Sequence, residues 1–271
     1  MAEKKEHKIV AATATKPAAE GTEKKVQQAA PVGNAGALRG GAIALWVLGL
    51  VFEVLALLIV LGKINLKFMP TLWQLIILLV LDLAAVIVGS QFWKKANHIK
   101  PASEANKLTF WLWNNMGVIA CVVDFLPIII VMLTNKNLDK KTKVIATVVA
   151  VIALLIGGVA SYDFNPVSEE QQQAAISAIS DDVYWAPFGK VYHTHEDCSA
   201  LNQTDTLTVG TVEEAIAANR TRLCSFCAHK DNIEGVVTDD AAKGEIVEDV
   251  ADTVEDAAGE AAGAEGTDAA A

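Results

Sequence analysis

The sequence predicts a mainly α protein: a bundle of four transmembrane helices followed by a small α+β module, with disordered ends. Three observations carry that expectation. Four long apolar runs lie between Gly41 and Ala160. The chain is 52% hydrophobic yet has a net charge of −10, a combination that no single soluble domain accommodates. Three of the four cysteines fall in the stretch 198–227, spaced as metal ligands are.

The charge separates into zones. Beyond Lys230 there are thirteen acidic residues against one lysine, so the last 41 residues carry −12 and the remainder about +2. This tail, 231–271, is mostly Ala, Asp, Glu and Gly, too poor in apolar groups to offset chain entropy. A short acidic helix at 246–254 would be marginal alone. The arm 1–40 is basic and has no apolar run long enough for a cleavable signal, which leaves the first membrane helix as the insertion signal. Both ends are expected to be disordered.

The apolar runs are 41–61, 72–93, 110–133 and 144–160. Each reaches or nearly reaches the ~20 residues that cross a hydrocarbon core of ~30 Å. The fourth, at seventeen residues, is the shortest and is expected to thin the bilayer locally. Trp46, Trp73, Trp93, Trp111 and Trp113 lie near run ends, where indole rings settle at headgroup depth. Seven basic residues in the arm and four in 94–107 oppose six in the other two loops. That bias predicts a multi-pass protein of the cell membrane with both termini in the cytoplasm.

Glu53, Asp82 and Asp124 fall near the middle of the first three spans, where an acid costs ~2.5–3.5 kcal/mol on insertion scales. Helical spacing predicts a shared interior. Asn114, Gly117, Cys121 and Asp124 form one stripe, and Gln74, Asp82, Ala85 and Gly89 another. Ala146, Ala150, Ala153, Gly157 and Ala160 offer a small-residue edge. No lysine or arginine lies at that depth. The acids are expected to be protonated, hydrogen-bonded to one another or to Asn114 and Asn115, or bound to a cation. Interhelical hydrogen bonding, a proton or cation path, and an interface for a partner helix are the three readings. Pro127 is expected to kink the third span.

A polar linker, 161–181, follows. Ser168 with Gln171 is a capping box opening a helix at 169–179, and Thr211 with Glu214 opens another at 212–218. Residues 182–186 and 191–193 flank a Pro187–Lys190 turn and predict a β-hairpin. Within the module, 182–230, His193 and Cys198 stand as H-x4-C, and Cys224 and Cys227 as C-x2-C. Two short pairs of this kind close a tetrahedral zinc shell. The rival for the second pair is a redox disulfide, which normally opens a helix after a strand in a βαβ context. His195 and His229 are competing ligands with poorer spacing, and Cys121 is a small packing residue. Four protein ligands leave no open position for water, and no glutamate stands in an H-x-E or H-E-x-x-H setting, so no enzyme is expected. Four basic residues against five acids between 183 and 230 argue against nucleic-acid binding.

The stretch 183–230 resembles the small metal-binding module of the Ada type, found attached to many bacterial proteins. The likeness rests on Val191-Tyr-His193 with Cys198-Ser-Ala-Leu201, on Gly210-Thr-Val-Glu-Glu-Ala215, and on Arg222-Leu-Cys224-Ser-Phe-Cys227. It covers under a fifth of the chain and none of the membrane part. In the DNA-repair members all four ligands are cysteines, one of which accepts a methyl group. Here the first ligand position is His193, so the resemblance implies zinc binding and fold without that chemistry. The expected function is that of a non-enzymatic binding or scaffold protein in the bilayer, its zinc module docking a protein partner. The alternatives are proton or cation transport through Glu53, Asp82 and Asp124, and a membrane-bound zinc sensor.

Overall fold

The computed structural model describes residues 7–12, 33–64, 67, 69–136 and 138–240. The expected disorder of 1–6, 13–32 and 241–271, with the acidic helix at 246–254, lies outside these residues. The described chain forms two compact units. One is helical and comprises the residues from 33 to 173 with 216–221; the other is mixed and comprises 7–12, 174–215 and 222–240.

The helical unit contains α1 (Ala35–Val60), α2 (Thr71–Ile99), α3 (Lys107–Asn114), α4 (Met116–Thr134) and α5 (Lys140–Ser161). Four of these, α1, α2, α4 and α5, are long and apolar enough to cross a membrane. Helices α1, α2 and α5 are longer than their apolar runs, because polar and small residues at their ends still complete helical turns, whereas the run 110–133 is divided between α3 and the 19-residue α4. Asn34, Asn106 and Asp139 cap α1, α3 and α5 by accepting backbone N–H bonds from Ala37, Thr109 and Thr142. With 22 residues, α5 is ~33 Å long, but its first turn carries Lys140, Lys141 and Lys143, so its apolar length remains that of the run 144–160. The third span is interrupted at Asn115, whose side chain bonds back to the Trp111 carbonyl at 2.9 Å. From Met116 to Thr134 the chain is one helix, α4, with Pro127, the site of the expected kink, inside it.

This unit is packed inside out relative to a soluble bundle. Valines, leucines and isoleucines such as Val47, Val80, Ile130 and Leu155 face outward. Inside, Leu75, Leu79, Val86, Phe125, Ile128 and Met132 pack against the small side chains Ala146, Ala150 and Ala153 of α5. The small edge ends on buried Ser161, with Ala160 only half-buried. Helix α2 packs against α1, α4 and α5. Close approach depends on glycine: a Cβ at Gly89 would lie 2.8 Å from Trp46 Nε1 and 3.1 Å from the Ala42 carbonyl.

One end of the bundle is aromatic and polar. Trp93 sits between Trp46 and Trp113, at ring centroid distances of 5.3 and 5.2 Å. Arg39 lies over Trp113 at 5.1 Å and donates to the Lys100 carbonyl at 2.7 Å. Trp93 is buried between helices, its indole N–H donating to the Trp113 carbonyl. Buried His98 pairs with buried Asp163 at 3.0 Å. Burial opposes charge on Asp163, yet hydrogen bonds from His98 and the Asn165 N–H, with the His98 and Lys94 charges, hold its carboxyl below the usual range.

In the mixed unit, β2 (Val183–Trp185) lies antiparallel to β4 (Thr206–Gly210), and β1 (Lys8–Ala11) lies parallel to β4 on its other edge. Residues 8–11, expected in the disordered arm, are thus a strand; four residues carry too little alternation to announce one without a partner. Strand β4 was not anticipated. A second sheet pairs β3 (Val191–Tyr192) with β5 (Arg222–Leu223) in parallel, and a Tyr184–His193 bridge forms the expected hairpin. Helices α6 (Glu169–Ala178) and α7 (Val212–Ala217) open on the two expected capping boxes, each bonded in both directions. The last helix, α8 (Ser225–Asp231), ends at Asn232 in a left-handed cap. The chain then returns to β5, where Leu223 donates to the Val237 carbonyl and Ser225 to the Asp239 carboxylate. The module therefore extends past Lys230, the limit set by the last recognisable motif.

Glycine contacts separate packing from propensity. Gly89→Ala should destabilise the bundle by ~1–3 kcal/mol, as over-packed sites do. At Gly158, where a Cβ meets nothing within 4 Å, the same change should stabilise it by ~0.5–1 kcal/mol. Thermal melting of the helical signal in detergent checks both.

Candidate metal centre

Four segments bring one ligand each to a single point. His193 leaves β3 and is held by reciprocal backbone bonds with Tyr184, at 2.7 and 2.8 Å. Cys198 precedes the 3₁₀ turn Ser199–Leu201 and accepts the Leu201 N–H on its carbonyl. Cys224 caps α8, with its N–H donated to the Tyr192 carbonyl at 2.9 Å. Cys227 follows in the first turn of that helix. One ligand atom from each residue lies within 4.8 Å of the others, and all four residues are buried. Cys198 Sγ is 3.9 Å from Cys224 Sγ, and Cys227 Sγ is 3.8 Å from His193 Nδ1. All four cysteines of the chain are free thiols.

Backbone N–H groups point at the sulfurs: those of Phe226 and Cys227 reach Cys224, that of Ala200 reaches Cys198, and those of Thr194 and His195 reach Cys227. The hydrogen bond from Cys224 draws the Cys227 thiol down to about 3, with His193 adding to the effect against burial. The same bond, with burial, pushes the Cys224 thiol up, and burial raises Cys198. A pair of sulfurs sharing one proton is a ready thiolate donor. Three sulfurs and an imidazole in a buried, N–H-lined pocket fit a four-coordinate thiophilic metal ion.

The competing assignments resolve by position. His195 is drawn away by Asp231, which takes the His195 ring at 2.6 Å and the Thr194 hydroxyl at 2.5 Å. His229 is not among the gathered ligands. Cys121 is buried in α4 and reaches the Leu154 carbonyl at 3.6 Å. Contrary to expectation, Cys224 and Cys227 do open a helix after a strand, as a redox pair would. What sets them apart from such a pair is the approach of His193 and Cys198. Asp231, which steadies the loop between those two ligands, carries no motif that marks it in advance.

The intramembrane residues are all buried: Glu53, Asp82, Asp124 and Asn114. Asp82 and Asp124 converge on Gly49, where a Cβ would lie 2.7 Å from Asp82 Oδ1 and 3.2 Å from Asp124 Oδ2. Asn114 does not join them: it donates to the Phe110 carbonyl at 3.1 Å and accepts from Asn97 at 3.4 Å. Asn115 is likewise engaged with its own helix.

Comparison with known protein families, with curated proteins and with solved structures finds no match to this chain.

Cys224→Ser should abolish metal retention and unfold the module while the helical signal of the bundle persists. Metal analysis together with limited proteolysis reads both. Asp231→Ala should leave the fold intact and weaken metal affinity about tenfold by loosening the ligand loop, as measured by competition with a chromophoric chelator.

Proposed function

We propose that the protein is a non-catalytic, membrane-embedded binding protein whose small module is folded by a structural zinc ion and docks a protein partner. The observation that carries this reading is the closed shell of His193, Cys198, Cys224 and Cys227, which are only 1–8% exposed. Zinc bonds of ~2.3 Å to sulfur and ~2.0–2.1 Å to nitrogen place neighbouring tetrahedral donors ~3.6–3.8 Å apart. The spacings of 3.8 and 3.9 Å are close to that. The likeness of 183–230 to Ada-type modules supports zinc in particular, and the histidine at the first position argues against methyl transfer. A fully ligated ion offers no site for water, so its contribution is to folding, worth ~10–16 kcal/mol in zinc-finger peptides at neutral pH. Two aromatic side chains are left uncovered on the module: Phe188, at 99% exposure in the hairpin turn, and Phe226, at 64% between the two helix cysteines. Exposed aromatics of this kind serve as anchors in protein interfaces.

A sensor would need an ion that exchanges readily, whereas a structural ion leaves only as the module unfolds. Isotopic zinc exchange on the purified full chain distinguishes them. The proposal expects one zinc per chain, exchanging no faster than the module opens by hydrogen exchange. Exchange much faster than opening, or a metal-free folded module, would contradict it.

A further inference from the structure

We propose that Glu53, Asp82 and Asp124 form a proton-binding site inside the bundle, open toward the face where α1 and α3 begin and α2 and α5 end, and closed toward the other.

The site is built by three helices around one gap. Asp82 is completely buried, and neither of its carboxyl oxygens has a hydrogen-bond partner. Its Oδ1 and the Oδ2 of Asp124 are aimed into the space that Gly49 leaves on α1, and Asp124 Oδ2 is also unpartnered. Glu53 stands one helical turn beyond Gly49, with Oε1 buried and unpartnered. Asp82 and Glu53 each lie within electrostatic reach of Asp124. The titratable groups facing this gap are these three and Cys121 from α4; α5 contributes buried Ala146, Ala150, Ala153 and Gly157 and no titratable group. The nearest basic residue on α1 is Arg39, about three turns from Gly49. Unpaired carboxylates in such a place are costly, and a bound proton both removes charge and supplies a donor to a neighbouring oxygen. A directly coordinated metal is a poorer fit: among the described residues, the set whose ligand atoms gather within 4.8 Å is the sulfur site.

The two ways out of the gap differ. Cross-links locate the faces: Arg39 bonds the Lys100 carbonyl and Gln91 the Ala160 carbonyl on one, while Asn135 bonds the Val60 carbonyl on the other. Toward the first face, polar groups recur. Ser90 Oγ and Ser161 Cβ would lie 2.6 and 3.3 Å from a Cβ at Gly117, and Ser161 Oγ is buried without a partner. Beyond them Asn114, Asn97 and Arg39 are linked in series at 3.4 Å each, with the His98–Asp163 pair on the same end. Toward the second face the interior is Ala56, Ile59, Leu75, Leu79, Ile128 and Met132, all buried and apolar. Among the described residues, the polar side chains on this side include half-buried Thr147, whose hydroxyl meets Met132 Sδ at 3.9 Å, and, at the helix ends, Gln74, Asn135 and Thr142.

The test uses the full chain in sealed vesicles of known orientation, with pH set separately on each side. Dicyclohexylcarbodiimide, an apolar reagent that adds to protonated carboxyls, is the probe, and adducts are located by peptide mass. Adducts on Asp82 or Asp124 should form when the first face is acidic, be lost when it is made alkaline, and ignore the pH of the second face. Leu79→Asn should make them respond to both sides. Asp82→Asn should shift the pH at which Asp124 loses its adduct, and Asp82→Glu should restore it. Adduct formation that ignores the pH of the first face, follows the second, or is absent from all three acids would overturn the proposal. So would an Asp124 response unchanged in a folded Asp82→Asn protein; if that variant does not fold, the comparison of the two sides in the wild type decides alone.

Discussion

The mixed unit turns on the convergence of four side chains, His193, Cys198, Cys224 and Cys227, that no continuous piece of secondary structure could bring together. Its strands run two to five residues and its longest continuous core side chains are few: Val183, Trp185, Tyr192, Leu201, Leu207 and Leu223. So small a core offers little to set against chain entropy. An ion coordinated there would substitute for the missing apolar area, because its ligands would be drawn from a strand end, a 3₁₀ turn and a helix start. Everything near it is arranged to keep those ligands in place. The Tyr184–His193 bridge fixes the imidazole, the α8 cap fixes two sulfurs, and Asp231 restrains the loop that carries the third. Backbone N–H groups directed at the sulfurs stabilise the thiolate form, which is the form a metal requires.

The helical unit obeys the opposite constraint. Its outer surface is apolar, as suits hydrocarbon, and in hydrocarbon burial of apolar area would not hold its helices together, leaving close approach and polar contacts to do so. Gly49, Gly89, Gly117 and Gly157 mark where neighbouring side chains come within reach of a helix backbone. Into that compact interior the chain places three acids where leucines would serve packing alone. Buried groups without partners are expensive to keep, which is the reason to assign them work beyond packing.

Much of this was legible because the physics is local. Apolar run length announced four membrane-crossing helices, helical spacing announced that the Asp82 and Asp124 stripes share an interior, and two capping boxes marked the starts of α6 and α7. The candidate metal ligands were legible for a different reason: His and Cys at short paired spacings have few other uses. What escaped depends on partners distant in sequence. Strand β1 exists through its pairing with residues about two hundred positions later, and Thr206–Gly210 becomes a central strand only between β1 and β2. Asp231, His98 and Asp163 look like ordinary polar residues until folding sets them against His195 and each other. Asn115 was read as a partner for the acids, but its side chain folds back on its own helix and breaks the third span instead. The position of Trp93 near a run end does not reveal that it is buried between two other indoles.

X-ray absorption at the zinc edge of the purified full chain tests the central claim most directly. The account predicts a four-coordinate ion with three sulfur neighbours at ~2.3 Å and one nitrogen at ~2.0 Å, and no oxygen in the shell. A spectrum showing a bound water, or one lacking the three sulfurs, would contradict a closed structural site.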